Sequence, residues 1–340
     1  MRHFLLIGCV SLLKVALQAQ PIKNVQIPPV AAKYPYNECE PSIAINPRNP
    51  NEITAGTVLQ GYHISTDGGN TWKSSVLKSP YGVYGDPVLQ YDQTGRLYYF
   101  HLSDYSKTSH LDRIVCQVAD QPGKFSKGSF PKPNGTKVQD KHWVVIDPKT
   151  NVLYMTWTQF DAYDSADPKD TSIIVFSKST DRGLSWTDPI RISKYGGDCL
   201  DGDNTVEGAV PAVGPNGEIF VSWTGPRGIM FQKSTDGGLT WLSEERKLAD
   251  HVGGWDIQIP GIYRANGFPF LMSDMSGGPH NGTLYLNWCD QRNGTDNTDV
   301  WLIKSTDAGQ TWSAPIQVNQ DKDPRHQFLT SMAIDQVRGD

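Results

Sequence analysis

The chain has 340 residues, of which 38% are hydrophobic, 20% charged and 10% aromatic, with a formal net charge of -5 and no long run of either sign. That is enough apolar content for a large core, and it excludes the basic balance of a nucleic-acid binder or of a protein held on an anionic membrane surface. Thirty-two Gly, 23 Pro and 10 Trp suit an all-β protein with many turns.

Taken in order, residues 1–20 read as a secretory signal, with Arg2 at the front, an apolar run from Phe4 to Leu17 broken by Lys14, and Ala19 near the expected cut. No later stretch is long and apolar enough to span a bilayer as a helix. The expected mature protein is therefore exported: secreted, periplasmic or at the cell surface. Residues 21–38 are Pro-rich and read as a leader, and 39–340 as one folded unit. Cys39, Cys116, Cys199 and Cys289 form no C-x-x-C pair, so zinc is not expected; one or two disulfides and buried thiols fit equally.

From Glu40 onward, short period-2 segments rich in Val, Ile, Tyr and Trp alternate with Gly/Pro/Asn turns, the pattern of strands. The first unit predicts strands at 41–46, 52–58, 61–65 and 72–77. The second starts at Asp86, with strands at 87–91, 96–100 and 113–118. The third runs through His142–Ile146 and Val152–Trp157, the fourth through Ala209–Val213 and Glu218–Trp223, and the fifth through Phe270–Ser273 and Thr283–Trp288. Residues 327–335 read as the first strand of a sixth unit that is incomplete in this chain.

One pattern recurs through these units: Ser65-Thr66-Asp67-Gly68-Gly69-Asn70-Thr71-Trp72 returns at 179–186, 234–241 and 305–312, and in degenerate form around Asp120 and Phe125. An Asp that accepts backbone amides, a Gly that permits positive φ and a Trp that anchors the next strand make a hairpin turn. The repeat resembles the Asp-box, or bacterial neuraminidase repeat, of sialidase-like β-propellers. The resemblance implies a six-bladed β-propeller of four-stranded antiparallel blades, with the box between the third and fourth strands on the face away from an active site.

Ligand residues are then expected at the lead-ins to the first strands and in the loops between second and third strands. The lead-ins carry Glu40, Asp86, Asp140-Lys141-His142, Glu207 and Asp256; the loops carry Asp290 and Arg292 among others. Carboxylates with Arg and His around a concave centre suit glycan binding or hydrolysis, whereas each Asp taken singly is also an ordinary turn former. The resemblance to sialidases implies three arginines on a substrate carboxylate, for which Arg264, Arg292 and Arg325 are the candidates. It also implies a Tyr nucleophile activated by a Glu, for which Tyr263 and Glu207 stand, with Asp86 and His142 completing the catalytic set. The early Arg-Ile-Pro motif of that family is absent, since Ile259-Pro260 follows Gln258. Asp140, Asp256 and Asp290 are expected to bind substrate, and Trp255, which has no equivalent in other units, to stack on a sugar. Asp198, Asp201 and Asp203 offer oxygens to Ca²⁺ but lack EF-hand spacing, so a solvated acidic loop is the alternative. The function expected is an exo-sialidase-type glycoside hydrolase on extracellular glycans, with a non-catalytic glycan- or protein-binding propeller and a polysaccharide lyase as rivals.

Overall fold

The computed structural model of the chain describes residues 24–30, 38–104, 111–321 and 323–339; the segment read as a signal lies outside them. Among the described residues there is no helix, and the strands form six antiparallel sheets. Blade 1 is β1 (Ser42–Ile45), β2 (Ile53–Thr57), β3 (Gly61–Ser65) and β4 (Lys73–Val76) in sequence order. Blade 2 is β5 (Gly85–Tyr91), β6 (Leu97–Leu102) and β7 (Ile114–Ala119), with Ser129 bridging to Cys116 where a fourth strand would pair. Blade 3 is β8 (Val138–Ile146), β9 (Leu153–Phe160), β10 (Ser172–Ser179) and β11 (Ile190–Arg191). Blade 4 is β12 (Glu207–Val213), β13 (Ile219–Thr224), β14 (Ile229–Ser234) and β15 (Arg246–Ala249). A two-stranded hairpin, β16 (Asp256–Ile257) and β17 (Ala265–Asn266), precedes blade 5, which is β18 (Phe270–Ser273), β19 (Leu284–Asp290), β20 (Asp299–Ser305) and β21 (Ile316–Gln317).

Residues 327–335 lie in the inner-strand place of a sixth blade. Asn287 Nδ2 donates to Thr330 Oγ1 at 2.9 Å, just as Thr156 Oγ1 donates to the Ala209 carbonyl at 2.7 Å from blade 3 to blade 4. The segment forms no ladder among the described residues.

The middle strands β9 and β13 are buried along their whole length because both faces meet a neighbouring blade. On β9, Leu153, Met155 and Trp157 pack with Tyr98 and Phe100 of blade 2, while Tyr154 turns the other way to Ile219, Val221 and Trp223 of blade 4. Period-2 alternation thus feeds two interfaces, each removing aromatic and aliphatic area from water.

The repeated turn fastens one blade to the one before it. In all four full copies the Ser hydroxyl donates to the Asp carboxylate at 2.8 Å and accepts the amide of the Gly two residues after that Asp at 2.8–2.9 Å. The carboxylate also takes the amide and hydroxyl of the Thr or Ser four residues on, which explains why that position is never apolar. The aromatic that closes the turn meets a ring of the preceding blade edge-on: Phe125 on Tyr62 at 5.0 Å, Trp186 on Phe100 at 5.9 Å, Trp241 on Phe176 at 5.0 Å and Trp312 on Phe231 at 5.5 Å. Such edge-on pairs add about 0.5–1.5 kcal/mol beyond burial. In the degenerate second turn Asp120 holds Arg96 through two bonds instead of capping its own loop.

Gly238 sits so close to the preceding blade that a Cβ there would be 2.5 Å from the Phe176 ring, and its φ is +83°. Gly217 has nearly the same φ, +82°, and a Cβ there would meet nothing within 4 Å. Gly238→Ala should therefore cost the left-handed strain of about 1–2 kcal/mol plus roughly 1–3 kcal/mol of overpacking, whereas Gly217→Ala should show the first cost alone. Urea unfolding of the two variants checks this; equal losses would mean the blade contact does not constrain the turn.

Candidate functional site

The first strands of blades 2, 3 and 4 each carry a bulge at the lead-in, where the register slips between Gly85 and Val88, Asp140 and Trp143, and Glu207 and Val210. The extra residue has left-handed backbone: Asp86 (φ 49°), Lys141 (45°) and Gly208 (72°), and Glu40 (47°) stands at the same distance ahead of the first paired residue of blade 1. Left-handed backbone costs an L residue about 1–2 kcal/mol, so its recurrence with charged side chains marks a built feature. Glu40, Asp86 and Lys141 thus hold equivalent places on three blades. Asp140 and Glu207 hold another equivalent pair, each the last paired residue before the bulge, opposite Thr158 and Thr224.

The bulges bring these side chains together. Lys141 Nζ lies 3.0 Å from Asp86 Oδ2 and 3.1 Å from Glu40 Oε1. Its own amide donates to Asp140 Oδ1 at 2.7 Å. Burial works against the ammonium, but the charges of Asp86, Glu40, Asp140 and Glu207 outweigh it and raise the Lys141 pKa. Burial also works against the Asp86 carboxylate, yet Lys141 and a hydrogen bond with Glu40 hold it down at about 2. Glu40 is pushed up to about 7 by burial and by the Asp86 charge, so this pair shares one proton.

Glu207 is wholly buried, and neither carboxyl oxygen has a hydrogen-bond partner among the described residues. Burial, then the charges of Asp140 and Asp201, push its pKa well up. Asp140 is raised to about 7 by burial and by Asp86. His142 is buried with both ring nitrogens unpartnered among the described residues, and burial lowers it to about 3 against the pull of Asp86, so it is a neutral imidazole.

A second group closes over this cluster from three loops. Tyr163, between β9 and β10, donates to Asp201 Oδ2 at 2.5 Å, and Arg264, just before β17, donates to Asp201 Oδ1 at 3.0 Å. Glu207 adds to the field that raises the Arg264 pKa against its burial. Tyr163 and the Asp201 node carry no motif; the one signal for them is the acidic run's return to Glu207.

Several expected site residues stand elsewhere. Asp256 is on the inserted β16, not at a first-strand lead-in; its amide donates to Asp203 Oδ1 at 2.8 Å, which ties the hairpin to the acidic loop. Trp255 is 0% exposed, donates to the Thr205 carbonyl and packs on Phe268 at 4.8 Å, so it anchors the insertion and offers no face to a sugar. Tyr263 is fully exposed at 101%, away from any base. Arg292 is bound by both nitrogens of its fork to the buried Asp290 and lies over Trp301 at 4.3 Å, so that pair serves blade 5. Arg325 is an exposed residue facing Asp323 at 3.6 Å. Of the three expected arginines, only Arg264 stands with Glu207. The acidic run is likewise spent within the protein: Asp198 caps Leu200 and Thr205, Asp201 takes Tyr163 and Arg264, and Asp203 takes Asp256. No group of three or more ligating side chains with metal-site geometry occurs among the described residues. The four described cysteines are free thiols, three of them buried.

Carboxyls raised in the folded state bind more protons there than in the unfolded chain, so stability falls as pH climbs from their ordinary values of 3.8 and 4.5 through about 7. Asp86 acts oppositely, but only near its folded value of about 2, outside this window. Asp140→Asn should then unfold at a higher temperature than the wild type at pH 8, with little difference at pH 4.5. Each kcal/mol gained appears as roughly 2–4 °C. A pH-independent difference in melting would show that Asp140 does not hold the extra proton.

No family profile matches the chain. Over 114 residues it is 32% identical to a sialidase of Bacteroides fragilis (strain YCH46), a match that takes in 30% of this chain and 20% of that protein. In structure it is similar to the GH93 α-L-arabinofuranosidase of Fusarium graminearum in complex with arabinobiose, with a TM-score of 0.56 and 16% identity over 89% of this chain and 86% of that one. It is also similar to the α-L-arabinanase of Penicillium chrysogenum complexed with arabinobiose, with a TM-score of 0.51 and 17% identity over 81% and 80% of the two chains. The blades and these structural likenesses show a β-propeller fold, shared with these two solved structures.

Proposed function

We propose that the protein is an exported glycoside hydrolase in which Glu207 is the general acid and Asp86 the carboxylate that faces the developing positive charge. The observation that carries this is Glu207 itself: a buried carboxyl with two unpartnered oxygens whose pKa burial raises well above the ordinary value, in the same Lys141-centred cluster as a carboxyl that Lys141 holds down at about 2. Glycoside cleavage needs that division of labour, an acid to protonate the leaving oxygen and a carboxylate to stabilise or attack the oxocarbenium-like centre. The Arg264–Asp201–Tyr163 rim supplies donors and acceptors for sugar hydroxyls.

The charge balance favours a neutral glycan. Glu40, Asp86, Asp140 and Glu207 surround the centre, and the cations Lys141 and Arg264 are each already paired with carboxylates. A substrate carboxylate would meet like charge with one arginine instead of a clamp of three. Arabinobiose, which the structurally similar enzymes hold, is a neutral glycan that fits this balance. The local identity to a sialidase supports the second reading, a sialoside substrate.

The test offers fluorogenic α-L-arabinofuranoside and sialoside to the full-length protein. Turnover of the first is expected, with kcat lowered about 10²–10⁴-fold in Glu207→Gln and KM little changed. Turnover of the sialoside alone would select the second reading. A folded protein that cleaves neither would be a binding propeller or a lyase, and a glycan array would then identify its ligand.

A further inference from the structure

Lys141 is the one side chain in the site with no counterpart in chemistry at its equivalent positions. The same left-handed place carries a carboxylate on blades 1 and 2 and a glycine on blade 4. Its ammonium is contributed by blade 3 but spent on blades 1 and 2, 3.1 Å and 3.2 Å from the two oxygens of Glu40 and 3.0 Å from Asp86. The side chains of Lys141 and Asp86 are only 12% and 18% exposed, so that contact is largely sheltered from solvent screening, whereas Glu40 is 44% exposed. A buried cation of this kind needs carboxylate partners to stay charged, and carboxylates need it to stay ionised.

We propose that Lys141 is a positioning residue that fixes Asp86 as the carboxylate of the hydrolytic pair; this rests on the assignment of Asp86 and Glu207 made above. The groups that face Asp86 are Glu40 and Cys39 ahead of β1, and Asp140, Lys141 and His142 on β8. Glu40, Cys39 and Asp140 are neutral or negative, and His142 is a neutral imidazole. At neutral pH Lys141 is the cation in contact with Asp86, 3.0 Å away; below about pH 3 the charge of His142 adds to it. Glu207 feels the same ammonium, but burial and the charges of Asp140 and Asp201 dominate there and raise its pKa. One lysine thus favours ionisation of Asp86 while Glu207, on another blade and at the other bulge position, stays shifted toward its protonated form. Glu40 shares a hydrogen bond with Asp86 and meets the same ammonium.

Protein labelled with [γ-13C]aspartate, with Asp86 assigned through Asp86→Asn, would be titrated by carboxyl NMR in the wild type, Lys141→Met and Lys141→Arg. The pH profile of kcat/KM would be recorded for each. The Asp86 midpoint should rise by about one pH unit or more in Lys141→Met, the span expected when an adjacent opposite charge is lost. The acid limb of kcat/KM should rise with it, and Lys141→Arg should restore both. Lys141→Gln gives the same reading if the Met variant does not fold. An unmoved Asp86 midpoint with turnover intact would overturn the proposal alone, as would a midpoint that moves while the acid limb stays. A midpoint that rises as expected in a protein that turns over no glycoside would instead overturn the hydrolase assignment and leave only the charge contact.

Discussion

A strand paired along its whole length sends its side chains alternately to two faces and none of them along the axis where blades converge. In this chain the inner strands of blades 2, 3 and 4 escape that alternation through a single extra residue, held at positive φ. The bulge leaves one residue out of the ladder and re-aims it, and on blade 3 this brings Lys141 to 3.0 Å from Asp86 of the blade 2 bulge and to 3.1 Å from Glu40 ahead of β1. The places of Asp86 and Lys141 follow from that slip. Without it Asp86 and Lys141 would sit in the interfaces between blades, where charge has no partner.

Gathering acids in this way carries an electrostatic cost that is distributed unevenly. Glu40, Asp86, Asp140 and Glu207 cannot all ionise around one ammonium, so burial and neighbouring like charge raise Glu40, Asp140 and Glu207, and of the two acids that touch the ammonium only Asp86 is held down. The blades supply equivalent backbone; the single lysine removes the equivalence. Chemistry on a pseudo-symmetric ring requires such a break, because two identical carboxyls do not act as acid and base at once.

The blades are legible in the sequence because each signal is local and repeated. The third strand at 61–65 and the inner strand at 270–273 are read to the residue, since an Asp turn or a Gly/Pro turn bounds them. Glu207, Asp86, Asp140 and His142 are legible as lead-in residues once the units are laid over one another. The rest depends on contacts between segments distant in sequence. Residues 253–267 read as the approach to blade 5, because a hairpin of two-residue strands has no periodicity to announce it. Trp255, lacking an equivalent in other units, reads as a binding residue when it is the insertion's core. Arg292 reads as available because its partner Asp290, two residues away, reads as another ligand; burial makes the pair structural. Lys141 reads only as the middle of its lead-in, since its partners lie 101 residues earlier in blade 1 and, in blade 2, at Asp86.

The aspartates of the repeated turns and the acids of the centre are the same kind of group placed in opposite surroundings. Asp67 and Asp307 stand at the exposed rim, where hydrogen bonds from Thr71 and Thr311 hold them down at about 2. The central acids Glu40 and Asp140 are pushed up to about 7. Roughly five decades of proton activity separate the two populations. Across that span the fastenings between blades keep their charge while the centre exchanges its protons, so the propeller can change the state of its interior without loosening the joints that shape it.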